Sequence, residues 1–180
     1  MIIEVNREAD ILEEYRSTPI GTLFEYHNLG REFKYYENAE LLIGMCMDNR
    51  KQLRIPSKFA FIIRSAGGNL RYSEFKVSFA IAIGGVQAIA LIAHTQCGMV
   101  GLRDRREAFI KGLEINGGWD KESAAEHFEY FAPMFEIKDE KEFVLTEAAR
   151  LSEKYPKIQV APLLYKVEDN RLYQLRSDGT

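Results

Sequence analysis

Ala88-Ile89-Ala90-Leu91-Ile92-Ala93-His94-Thr95-Gln96-Cys97-Gly98 is the stretch on which the fold turns. An unbroken apolar run enters a polar segment that carries a histidine, a cysteine and a glycine. Continuous rather than alternating apolarity predicts a strand covered on both faces, as in a parallel sheet. Two earlier runs have the same character: Ala39 to Met45, which continues into Cys46-Met47-Asp48-Asn49-Arg50, and Phe59 to Ile63. Between the second and third runs, Ser73 to Ile83 is apolar at nearly every position. Ser73 as an N-cap, Glu74 in the first turn and Gly84-Gly85 as a stop predict a helix there. Such a helix supplies the right-handed crossover that two parallel strands need.

Working outward, Asn6 to Arg16 carries Ile11, Leu12 and Tyr15 at helical spacing, and a second short helix is expected after Pro19 with Leu23, Phe24 and Tyr26 on one side. Asp120 and Asp139 are expected to cap helices over Asp120 to Phe131 and Asp139 to Lys154. Ile158 to Val167 reads as a strand, Glu168 to Arg171 as a turn and Leu172 to Leu175 as the returning strand. The fold class expected is α/β: a mostly parallel sheet flanked by helices, with a C-terminal hairpin. No repeat, low-complexity tract or linker divides the chain. One domain is therefore expected over residues 1–180, with an N-terminal helical arm at 1–30 and the chemistry-bearing core at 39–175.

A formal charge of -3 gives no reason to expect a nucleic-acid or anionic-membrane partner. The basic cluster Arg103, Arg105 and Arg106 is interleaved with Asp104 and Glu107, which reads as a solvated helix face. No apolar run reaches the ~18–20 residues of a membrane span, and Met1 to Asp10 lacks the pattern of a signal peptide. Two cysteines, Cys46 and Cys97, in a chain long enough to fold without a disulfide fit reduced thiols and a cytoplasmic address.

Both cysteines stand just past presumed parallel strands. In open α/β sheets, ligands bind in the crevice beyond the carboxyl ends of the strands. If the two strands are neighbours, Cys46, His94 and Cys97 meet there. Two thiolates and an imidazole suit Zn²⁺ and leave one tetrahedral position open. Asp48 can stand beside that position as a hydrogen-bond acceptor, or swing in as a fourth ligand and close it. Arg50, paired with Asp48 through two parallel hydrogen bonds, would hold it off the metal. The plainer reading is that both cysteines are small buried hydrophobes and Asp48-Asn49-Arg50 an ordinary ion-paired turn. His27 and His127 are expected in surface or packing roles, with proton shuttling as the alternative. Tyr35 and Tyr36 are expected in core or interface, and Trp119 as a loop anchor.

Cys46-x-Asp48-x-Arg50, then Arg64-x-Ala66-Gly67 with Asn69, then His94-x-x-Cys97-Gly98 resembles the β-class carbonic anhydrases in order and setting, over about residues 39–175. The resemblance implies zinc held by Cys46, His94 and Cys97, with Asp48 and Arg50 as a catalytic dyad. It implies interconversion of carbon dioxide and bicarbonate through a zinc-bound hydroxide, and a homodimer or assembly of dimers embraced by the N-terminal helices. The loop of Ala66, Gly67 and Gly68 would line the substrate pocket. Four departures stand out: Asn49 for the usual serine, Ser65 for asparagine, an additional glycine at Gly67-Gly68, and Ala93 for glycine. Lys51 to Lys58 is also too short for the helix that normally joins the first two strands. The altered loops leave two alternatives: hydrolysis of carbonyl sulfide or carbon disulfide, and a zinc protein without hydratase activity.

Overall fold

Residues 1–177 are described in a computed structural model of the chain. It begins with a two-residue strand, Ile2–Ile3 (β1). The helix expected over Asn6 to Arg16 is absent; two 3-10 turns stand there, at Glu8–Asp10 and Glu13–Tyr15. Side chains have taken the main-chain groups a helix would use. Asp10 accepts from the N–H groups of Asn6 and Arg7, while Gln174 accepts from Leu12 N–H and donates to the Asp10 carbonyl. Pro19–His27 (α1) is the second expected helix; Thr18 caps it by accepting from Ile20 N–H, and it buries Ile20, Leu23, Phe24 and Tyr26.

The chain then runs through Leu41–Met45 (β2), Ala60–Arg64 (β3), Glu74–Ala82 (α2) and Ala88–His94 (β4). Arg106–Gly117 (α3), Lys121–Phe135 (α4) and Glu140–Lys154 (α5) follow, and Gln159–Lys166 (β5) and Arg171–Leu175 (β6) end it. Asp120 accepts from Ser123 N–H, and Asp139 from the N–H groups of Lys141 and Glu142, so both act as the caps expected of them. The strands make one mixed sheet in the order β1-β6-β5-β4-β2-β3. β3, β2, β4 and β5 are parallel, and β6 and β1 add antiparallel.

Strand alternation divides the core between two faces. Leu41, Ile43, Met45, Ala90, Ile92 and Leu163 pack with the side chains of α1. Leu42, Ile89, Leu91, Ala93 and Leu164 face Val77 and Ala80 of α2 and Val144, Ala148 and Leu151 of α5. Each large aliphatic side chain fully buried this way contributes roughly 1.5–3 kcal/mol. The two-sided cover expected of all three apolar runs holds for β2 and β4, which are buried at every position. β3 departs from it: lying at the sheet edge, it leaves Phe61 42% and Ile62 45% exposed. No helix joins β2 to β3. Arg64 braces that connection instead, donating to the carbonyls of Cys46 and Asp48 at 3.3 Å each and of Lys51 at 3.2 Å.

Candidate metal centre

β2 and β4 are adjacent and parallel, with Met45 opposite Ile92. Cys46 therefore leaves the sheet beside the end of β4, where His94 is the last strand residue and Cys97 follows. The Sγ atoms of the two cysteines and a ring nitrogen of His94 lie within 4.8 Å of one another, all three residues buried. Asp48 is not part of that cluster. A small apolar shell of Ile137, Met99, Val100 and Phe143 packs against both cysteines.

His94 carries the sharpest signal. Its Nδ1 faces the Thr95 carbonyl at 2.9 Å, which fixes the proton on Nδ1 and leaves a lone pair on Nε2. That Nε2 is buried and has no hydrogen-bond partner. An orphaned buried nitrogen costs stability unless something unseen uses it. Its pairing with a second-layer carbonyl is the usual arrangement of a metal-ligating histidine. Contact with the Cys97 thiol holds Cys46 well below its ordinary range, and the same contact together with burial pushes Cys97 up. As ligands of a zinc ion both would be thiolates. Tetrahedral zinc with bonds of ~2.3 Å to sulfur sets ligand separations of about 3.8 Å, so the donor set fits zinc with small side-chain adjustments.

Asp48 sits next to this cluster. Arg50 Nη2 donates to its Oδ2 at 2.7 Å, Arg50 Nε to Oδ1 at 3.1 Å, and Arg50 N–H to Oδ1 at 2.9 Å. This grip holds the Asp48 carboxyl well below the usual carboxylate range. Arg50 is itself held: Nη1 and Nη2 donate to Oε1 and the carbonyl of Gln96, each at 3.1 Å. Lys51 is buried beneath, its ammonium donating to the Asp48 carbonyl at 3.3 Å. Burial lowers its pKa, against the pull of Cys46 and Asp48.

Ala66, Gly67 and Gly68 form a turn in which both glycines have positive φ, +63° and +75°. Gly68 packs against the backbone behind the metal cluster: a Cβ there would lie 3.6 Å from the Ile92 carbonyl oxygen and 3.7 Å from Cys46 N. Ala66 instead lines an apolar recess of about 400 Å³ with Met99, Leu102, Phe109 and Phe135. His127 borders the same recess, stacked on Phe109 and touching Phe131, with Trp119 against its edge. His27 lies in the opposite layer, where Nε2 meets the Asn170 carbonyl and Nδ1 accepts from Arg54 N–H. Tyr36 is buried and bonded to Tyr26, whereas Tyr35 is exposed. In the basic cluster, Arg103 pairs with Glu136, and Arg106 with Glu129 and Glu107. Arg105 reaches over Gly98 at the mouth of the site.

Sequence reasoning missed Gln96 and Lys51. Neither residue type announces a role, and both act through contacts that only the fold creates. The bracing of Arg64 has the same origin: Met45 pairs with Arg64, which brings the guanidinium under the Cys46 loop.

No family model matches the sequence, and no curated protein does. Solved structures do. A β-carbonic anhydrase, isoform I, from Trichomonas vaginalis is 18% identical, with a TM-score of 0.62, covering 81% of this chain and 87% of that one. A carbonic anhydrase from Streptococcus mutans is 19% identical, with a TM-score of 0.61 over 92% of this chain and 100% of that one. The apo form of a carbon disulfide hydrolase is 22% identical, with a TM-score of 0.55 over 79% and 86%. The chain thus has the fold of the β-carbonic anhydrases.

Proposed function

We propose that the protein is a divergent zinc enzyme of the β-carbonic anhydrase family that interconverts carbon dioxide and bicarbonate. The observation that carries this reading is the buried, unpartnered Nε2 of His94 converging with Cys46 and Cys97. These three residues would hold the ion. Zinc bound there supplies a Lewis acid with one open position, at which water becomes a nucleophile near neutral pH. Thr95, through its carbonyl, keeps the His94 ring in the ligating tautomer. Asp48 stays ionised in the grip of Arg50, so it accepts hydrogen bonds and donates none. It would accept the O–H of an oxygen nucleophile and orient it toward the substrate carbon. Arg50, bonded to both carboxylate oxygens, would keep it from turning toward the three ligands. Of the turn Ala66, Gly67 and Gly68, Ala66 would form the substrate side, with no charge to repel an uncharged linear molecule, while Gly68 backs the site.

The apolar lining of the recess beside Ala66 supports a second reading: hydrolysis of carbonyl sulfide or carbon disulfide, larger and more polarisable substrates. For the assembly, the free edge of β3 and the exposed Phe61, Ile62, Phe75, Phe79 and Ile83 beside it support a homodimer. Free thiols at Cys46 and Cys97 support a cytoplasmic address, and a single sheet that joins β1 to β6 supports one domain.

Stopped-flow carbon dioxide hydration, on protein whose zinc content is measured in the same sample, tests the first reading. Activity that is lost on chelation and in Asp48→Ala, Arg50→Ala and Cys97→Ser supports it. Full zinc occupancy without hydration above background from pH 7 to 9 rejects it. Turnover of carbon disulfide in that same sample would then establish the second.

A further inference from the structure

Glu168 lies in the turn between β5 and β6, yet its carboxylate reaches the two residues that separate His94 from Cys97. Thr95 Oγ1 donates to Glu168 Oε2 at 2.8 Å, and Gln96 Nε2 donates to Oε1 at 2.9 Å. Each of these residues has a second bond that points into the site. The Thr95 carbonyl accepts from His94 Nδ1, and Gln96 accepts from both terminal nitrogens of Arg50. Gln96 does so at φ +57°, a left-handed conformation that residues with a Cβ rarely adopt. Something must hold it there, and bonds to Glu168 on one side and Arg50 on the other do so.

We propose that Glu168 is a positioning residue of the metal centre. Its single carboxylate fixes the ring of His94 through Thr95 and the Arg50–Asp48 pair through Gln96. Hydrogen bonds to an ionised carboxylate are shorter and stronger than neutral ones. Partners behind metal ligands typically set 10–100-fold in metal affinity or activity. The inference rests on the zinc reading above, and its test does not depend on turnover.

The experiment compares Glu168→Ala, Glu168→Gln and Gln96→Gly with the full-length wild type. Zinc affinity is read by competition with a chromophoric chelator, and ligand geometry by the visible spectrum of the cobalt(II) protein. Hydration gives kcat and KM, and melting of the metal-free protein gives scaffold stability. In Glu168→Ala, zinc affinity falls about 10–100-fold. The cobalt spectrum changes, kcat drops with KM held, and metal-free melting stays within about 2 °C, as for other surface changes. Glu168→Gln recovers part of the loss, because its amide oxygen still accepts from Gln96. Gln96→Gly keeps more of the zinc affinity but loses kcat, since Thr95 remains anchored while Arg50 loses its side-chain partner and the residue-96 carbonyl its link to Glu168.

Wild-type zinc affinity and an unchanged cobalt spectrum in Glu168→Ala overturn the proposal, even in an active carbonic anhydrase. So does a fall in metal-free melting large enough to account for the loss. A wild type that binds zinc tightly and does not hydrate carbon dioxide rejects the enzymatic reading alone and leaves the affinity and spectral comparison decisive. A wild type that binds no zinc overturns both.

Discussion

Replacing Gly68 by alanine separates the backbone demands of the turn at Ala66–Gly68 from its service to the metal centre. At φ +75° an added Cβ is strained, by roughly 1–2 kcal/mol for a left-handed residue. It meets no hard obstacle, because its nearest neighbours would be the Ile92 carbonyl oxygen at 3.6 Å and Cys46 N at 3.7 Å, ordinary contact distances. The expected loss is therefore the conformational cost alone. At about 2–4 °C per kcal/mol for a chain of this size, metal-free melting falls by about 2–8 °C. Gly85→Ala is the control. Its φ is +69°, with no atom within 4 Å of the added carbon, so the same strain is incurred far from the site. The two variants should melt alike without metal. With zinc they should part, because a relaxing turn at residue 68 pushes on Cys46. Each tenfold loss of zinc affinity removes about 1.4 kcal/mol of the stabilisation that saturating zinc provides. Thermal melts over a zinc titration read both quantities. Equal zinc-dependent stabilisation in the two variants, or a Gly68→Ala protein that melts with the wild type, would refute the reasoning.

Three further outcomes follow from the same geometry. Chelation should lower the melting temperature, and added zinc should raise it in a concentration-dependent way, with ~2.7 kcal/mol gained at one hundred times Kd; a melt indifferent to zinc contradicts the site. Burial, chiefly, lowers the pKa of His27, with Arg171 and Arg54 nearby adding to the effect and the Asn170 carbonyl opposing it. Folding stability should thus be complete above the unfolded value near ~6.5 and fall as pH drops from there toward the folded pKa, where the loss levels off. Melts between pH 8 and 5 should show that slope in the wild type and a shallower one in His27→Gln. On the homodimer reading, Phe61→Glu on the free edge of β3 should shift sedimentation from dimer to monomer while leaving zinc affinity intact; an unchanged sedimentation coefficient removes this edge from the interface.

The parts of the fold legible in the sequence are those where one residue type dominates locally. β2 and β4 were readable because a central parallel strand needs apolar side chains on both faces, and the starts of α4 and α5 because Asp120 and Asp139 cap them; α4 runs past the expected Phe131 to Phe135. Phe59 to Ile63 has the same composition as its neighbour strands, so nothing local could mark β3 as an edge. β1 offers only Ile2 and Ile3, too short for any period, and pairs with β6 from the far end of the chain. The spacing of Ile11, Leu12 and Tyr15 suits a helix and two tight turns equally; Gln174 decides between them from another strand. At the site, Cys46, His94, Cys97, Asp48 and Arg50 announce themselves by chemistry. Gln96 and Glu168 are ordinary polar residues until the hairpin folds back beside β4.

Residues 47–58 belong to no helix or strand, and Arg50 N–H and Arg54 N–H there donate to side chains, Asp48 Oδ1 and His27 Nδ1. The segment that carries Asp48 and Arg50 thus hangs on side chains, Arg64 above all, while the zinc candidates Cys46 and His94 grow from the two most deeply buried strands. In hydrogen exchange, amides of β2 and β4 should open only when the whole molecule does, and those of 47–58 by small local excursions. On the zinc reading, retention of metal and competence for chemistry would be governed by different opening events: below its melting point the protein would keep its ion while Asp48 and Arg50 come and go.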